Sequence, residues 1–114
     1  MAEELWRTDN PCTGTQSYLH DTNWGSHTRK RPEIRGRLRE VQETVKDPDF
    51  ALRDEQGVVF KYRMGFGQGK LARLWLLVIE EADQRGAHYV KSAYFTSDIR
   101  DYEALCIRRI PAIG

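Results

Sequence analysis

The sequence predicts an α+β domain: an antiparallel sheet of about four strands, with an N-terminal helix packed on one face and a short C-terminal helix. Three observations predict it. Ile34, Leu38, Val41 and Val45 recur at helical spacing. Val58 to Met64 and His88 to Phe95 alternate their side chains between two faces, as strands of a layered sheet do. Leu74 to Ile79 is a nearly continuous apolar run that suits a central strand buried on both sides.

Taken in order, Met1 to Asn23 is rich in turn formers, among them Asn10, Pro11, Gly14 and Ser17. It is expected as an irregular arm or short helix packing through Leu5, Trp6, Tyr18 and Leu19, ahead of a folded core over residues 24–110. His20, in this polar stretch, is expected to be solvated. The helix is expected from Pro32, whose fixed φ suits the first helical position, to Lys46, because Asp47 precedes a proline and is pushed out of helical geometry. Phe50 to Leu52 reads as a short strand, Asp54 to Gly57 as a turn, and Val58 to Met64 as the partner strand. On that strand Val58, Phe60 and Tyr62 face one way, and Val59, Lys61 and Arg63 the other. Gly65, Gly67 and Gly69 form a flexible loop; no strand-turn-helix context supports a dinucleotide site there. After the apolar strand, Leu71 to Glu81, and a turn at Asp83 to Gly86, His88 to Phe95 is the next strand. Thr96 or Ser97 caps a short helix running from Asp98 through Tyr102 and Leu105, and Ile107 and Ile110 suit an edge strand ended by Pro111.

With 114 residues the chain makes one domain with one modest core. Charged residues are 31% of it, yet the net charge is only +1, which excludes a polycation that coats nucleic acid. Any polyanion must be met by a local patch, and Trp24 to Arg39 supplies one: Arg29, Lys30, Arg31, Arg35, Arg37 and Arg39 against the single acid Glu33. No apolar run approaches the roughly 20 residues that span a bilayer, and Glu3 and Glu4 break the basic-then-apolar order of a signal peptide. A cytoplasmic protein without membrane attachment is expected. Cys12 and Cys106 are too few for a metal pattern and are expected to be reduced, with a disulfide joining the terminal regions as the alternative. Neither a metal nor a cofactor is expected.

The order of short motifs along the chain is specific in combination. Trp24, His27, Arg31-Pro32-Glu33 opening a helix, Asp47-Pro48-Asp49 before a hairpin, Lys61-Tyr62-Arg63, the apolar strand Leu74 to Ile79, and Lys91-Ser92-Ala93-Tyr94-Phe95-Thr96 follow one another over residues 24–100. This pattern resembles the barnase, EndoU, colicin and RelE-like nuclease superfamily, in particular its phage-borne branch. The resemblance implies metal-independent RNA cleavage on a four-stranded antiparallel sheet, in a toxin or mobile-element setting where an antitoxin or immunity protein covers the active surface. One position departs from the branch: Arg31 stands where a second histidine often precedes Pro-Glu.

Cleavage of this kind has a ribose 2′-hydroxyl attack the adjacent phosphate, which requires a base, an acid and positive charge on the phosphorane. His27 is the expected acid or base. Lys61 and Arg63 are expected on the phosphorane oxygens, with Ser92 bonding a phosphate oxygen or orienting the hydroxyl. Lys30 and Arg31, near the helix entrance, are expected to hold phosphate, and Trp24, Tyr62 and Tyr94 to contact the RNA, the tryptophan or Tyr62 by stacking. The alternative, from a different class, is a non-catalytic RNA-binding or protein-interaction module on the same scaffold.

Overall fold

A computed structural model describes residues 3–109. Seven strands form one mixed sheet in the order β1-β2-β6-β5-β4-β3-β7. They are β1 (Glu4–Asn10), β2 (Thr15–His20), β3 (Phe50–Arg53), β4 (Val59–Arg63), β5 (Trp75–Ala82), β6 (His88–Thr96) and β7 (Glu103–Ile107). Two α-helices, α1 (Asp21–Lys30) and α2 (Leu38–Lys46), precede β3, and single 3-10 turns lie at Pro32–Ile34 and Gly69–Leu71. This corrects the expectation of an antiparallel sheet of about four strands with a helix at each end.

The first correction concerns Met1 to Asn23, expected as an irregular arm. Within it, β1 and β2 form an antiparallel hairpin from Glu4↔His20 to Asn10↔Thr15. Leu19 is fully buried, Trp6 packs against the same core, and Asn10 is buried because its amide donates to Ser17 and Glu80. Turn-forming residues inside the strands masked the alternation: Asn10 and Ser17 serve as internal hydrogen-bonding groups. The hairpin joins the rest through a short parallel ladder, Ser17↔His88 and Tyr18↔Tyr89, which makes the sheet mixed.

The second concerns the single helix expected over Pro32 to Lys46. The basic run is instead helical ahead of Pro32, in α1, and Arg31 leaves helical geometry at ψ 84° as a residue before proline must. The chain then reverses at Gly36, whose φ of +75° only glycine adopts freely, and α2 starts at Leu38. The apolar stripe survives the break, for Ile34, Val41 and Val45 are all fully buried with Leu38 packed beside them.

The third concerns the helix expected from Asp98. The chain must cross from β6 to β7, which lie four strand spacings apart in the sheet order, or about 19 Å at about 4.8 Å each. Between Thr96 and Glu103 there are seven residue steps; helical rise would cover about 10 Å and extended chain about 23 Å. The residues between them form an extended strap without helix, and Leu105 lies in β7 instead. Ile110 lies outside the described residues.

The two faces of the sheet differ. One carries Leu19, Leu76, Val78, Val90, Ala93 and Phe95 against Ile34, Val41 and Val45 of the helical segment. A bulge at Lys91 of β6 puts Ser92 opposite Ile79 and Val90 opposite Glu80, so Val90 joins Ala93 and Phe95 although strict alternation separates them. The other face holds Phe50, Leu52, Phe60, Tyr62, Trp75 and Leu77. The strap closes it: the Tyr102 and Phe60 rings lie 5.0 Å apart, and the Arg100 backbone N–H donates to the Tyr62 hydroxyl at 3.1 Å.

Cys12, in the hairpin turn, and Cys106, in β7, are joined by a disulfide with Cα atoms 5.4 Å apart. This overturns the reduced reading. The sheet curls enough for the turn beyond β1 to meet the strand at its opposite edge.

The Asp47-Pro48-Asp49 motif also ties down β7. The Asp49 carbonyl accepts from the Arg108 and Arg109 backbone N–H groups, while its carboxylate accepts from Met64 N–H at 2.8 Å and Arg109 Nε at 2.6 Å. Asp47 meets Arg63, Arg108 and Arg109. Burial pushes the Asp47 carboxyl up, but these guanidinium groups outweigh it and hold the pKa below the ordinary value. Asp49→Ala leaves a half-buried N–H and an arginine without their acceptor, and should cost about 1–2 kcal/mol in urea unfolding. Hydrogen exchange at Glu103–Ile107 should quicken with it.

Gly67 explains part of the glycine cluster. A Cβ there would lie 2.0 Å from the Leu71 carbonyl oxygen, so the backbone approach itself requires glycine.

Candidate functional site at the end of the first helix

Beyond Tyr89, β2 no longer pairs with β6, and the β6 carbonyls at Val90 and Lys91 face α1 instead. Two α1 side chains satisfy them: Asn23 Nδ2 donates to Val90 O at 3.2 Å and His27 Nε2 to Lys91 O. A carbonyl only accepts, so His27 carries its proton on Nε2 and presents a lone pair at Nδ1. That Nδ1 is buried without a partner. Burial lowers the His27 pKa; the Lys91 carbonyl opposes this, and Lys30 and Arg31 reinforce it, so the surroundings favour the neutral ring.

Arg31 ends α1 and lays its guanidinium 4.3 Å from the centre of the Tyr94 ring. From the strap, Arg100 donates from Nη2 to the Tyr94 hydroxyl at 3.2 Å. Its backbone is fixed by Tyr62, and its guanidinium lies 5.8 Å from the Phe60 ring. Neither arginine has an ion-pair partner among the described residues. Tyr94 is thus flanked by two cations free to meet an anion. Ser92, half-buried at the bulge and two residues earlier on β6, shares the Tyr94 face; Lys30 is exposed beside Arg31.

The other expected site residues are elsewhere. Lys61 is fully buried on the helix-covered face, where Nζ meets Glu80 Oε2 at 2.7 Å and donates to the Val45 carbonyl at 2.8 Å. Burial pushes its pKa down and the Glu80 carboxylate holds it up. The role expected for it on phosphate is therefore corrected: a fully enclosed ammonium held by a carboxylate cannot reach substrate. Arg63 is spent on Asp47 and Asp49, with its guanidinium 5.1 Å from the Phe66 ring. Trp24 packs into the helix-side core and Tyr62 is fully buried, so neither ring is a stacking platform. Of the expected site residues, Arg31 meets Tyr94, Ser92 shares the Tyr94 face, Lys30 is exposed next to Arg31 in the chain and His27 is fixed to the Lys91 carbonyl, whereas Lys61, Arg63, Trp24 and Tyr62 are engaged elsewhere. Sequence reasoning missed Arg100, because it lies in the segment read as a helix and no periodicity marks it.

Among the described residues no helix is long and apolar enough to cross a membrane. No family model, curated protein or solved structure matches the chain.

Proposed function

We propose that this chain acts on single-stranded RNA at the surface formed by the end of α1, β6 and the strap. The supporting observation is the convergence of two guanidinium groups without ion-pair partners among the described residues, Arg31 and Arg100, on Tyr94, with His27 held to the Lys91 carbonyl of the same strand. One arginine over the Tyr94 ring and a second at its hydroxyl suit a phosphodiester, because each guanidinium offers parallel N–H donors to phosphate oxygens. In the cleavage reading, bound RNA displaces the cover over His27 Nδ1, which then takes the proton of a ribose 2′-hydroxyl. The oxygen attacks the neighbouring phosphorus, Arg31 and Arg100 stabilise the charge that develops, and the 5′-oxygen leaves with a proton from the Tyr94 hydroxyl. The products are a 2′,3′-cyclic phosphate and a 5′-hydroxyl, and DNA is not a substrate.

A second reading, RNA binding without cleavage, is favoured by the cover over His27 Nδ1 and by the ring's role in satisfying a β6 carbonyl. One experiment separates the two: labelled single-stranded RNA and its all-2′-deoxy analogue, incubated with the protein and a chelator. The cleavage reading expects cyclic-phosphate ends on RNA alone, with His27→Ala slowing the reaction by about 100-fold or more. Binding without product assigns the module reading. In both, Arg31→Ala and Arg100→Ala should each weaken binding about tenfold and reduce the salt slope by about one. Affinity unchanged in both variants removes the surface from consideration.

The toxin or mobile-element setting, and an antitoxin or immunity protein over this surface, rest on the motif resemblance. The Cys12–Cys106 bond favours an oxidising compartment over the expected cytoplasmic one.

A further inference from the structure

A cleft of about 780 Å³ lies away from the α1–strap surface, between the β1–β2 hairpin and the turn that joins β5 to β6. Its size falls within the range of small-molecule sites. Tyr18 forms part of its wall, with His20 against it at a ring separation of 4.9 Å and the Arg7 guanidinium 4.7 Å from the ring centre. Arg7 is oriented from behind, since Glu4 accepts its Nε at 2.5 Å while its two terminal nitrogens have no partner among the described residues. Arg85 reaches the cleft from the opposite side, on a tight turn, and has no ion-pair partner among the described residues.

The one carboxylate on the wall is already engaged. Asp83 Oδ1 accepts the backbone N–H groups of Arg85 and Ala87 at 2.8 and 3.0 Å, and Oδ2 accepts the Tyr18 hydroxyl at 2.8 Å. The Tyr18 hydroxyl, with the turn amides, holds the Asp83 pKa below its ordinary value. Its charge is thus met by three donors, whereas Arg7, although ion-paired through Nε to Glu4, keeps its two terminal nitrogens available and Arg85 keeps its whole guanidinium. Two such groups on opposite walls, beside an imidazole and a phenol, match the demands of a compact doubly charged oxyanion attached to a planar body.

The geometry points to a phosphomonoester site here, with Arg7 and Arg85 holding the phosphate and His20 and Tyr18 bordering the group that carries it. This site is separate from the RNA surface and does not depend on it.

The test is an amide NMR titration of the full chain with adenosine monophosphate and, in parallel, inorganic phosphate. Saturable shifts at Arg85 and Ala87 are expected with the nucleotide, and Arg85→Ala and Arg7→Ala should each weaken binding by about tenfold or more. Arg85→Ala changes an exposed turn position, and its amide spectrum verifies the fold. Saturation by inorganic phosphate as well identifies phosphate itself as the recognised group; saturation by the nucleotide alone identifies the whole phosphomonoester. Shifts that never saturate with either probe, affinities in both variants within about twofold of the parent, or shifts confined to Arg31, Tyr94 and Arg100 would overturn the proposal.

Discussion

Lys61→Met should cost about 3–5 kcal/mol of stability, among the largest effects of any single substitution, because it strands Glu80 as an uncompensated charge in the core. Both side chains are fully buried. Glu80 also accepts from Ser17 and Asn10, two residues of the β1–β2 hairpin, and Lys61 reaches the Val45 carbonyl in the last turn of α2, where helix carbonyls attract a cation. One ion pair therefore connects hairpin, sheet and helix. Pairing Lys61→Met with Glu80→Gln should recover most of the loss, since a neutral amide oxygen still accepts from Ser17 and Asn10 and no charge is stranded. A double-mutant cycle by urea unfolding measures this. A coupling below about 0.5 kcal/mol would show that the two groups do not depend on one another.

Reducing the Cys12–Cys106 bond should lower stability by about 2–4 kcal/mol, the typical range for a native disulfide. The two residues are 94 apart in sequence, so the bond closes nearly the whole chain into a loop and removes many unfolded conformations. It also joins two weakly attached elements, the hairpin with its two-pair parallel ladder and the largely exposed edge strand β7. Cys12→Ser should reproduce the effect of dithiothreitol and abolish any further response to it. An unchanged urea midpoint, or rapid alkylation of both cysteines in unreduced protein, would show that the bond does not form.

The meander was legible because its signals are local. Phe50 to Leu52, Val58 to Met64, the apolar strand and His88 to Phe95 carry their alternation or apolar runs within a few residues, and they become β3 to β6 with shifted ends. What the sequence hid depends on distant partners. Asn10 and Ser17 read as turn residues until Glu80 is seen between them, and the segment after Thr96 reads as a helix until β7 is found across the sheet. Lys61 and Arg63 do share a strand face with Val59, but that face is the one the helix covers. Periodicity places side chains on a face without saying which face is buried. The site divides in the same way: Arg31 and Tyr94 come together, whereas Arg100 reaches Tyr94 from an extended strap that no local periodicity marks.

The most direct test of the proposed RNA surface is an NMR titration of the full chain with a 2′-O-methyl oligonucleotide, which has no free 2′-hydroxyl to attack its own phosphate. Saturable shifts centred on the His27 imidazole nitrogens, the Arg31 and Arg100 guanidinium groups and the Tyr94 ring are predicted. Saturable binding that leaves these four undisturbed, and moves signals on another face of the sheet, would contradict it.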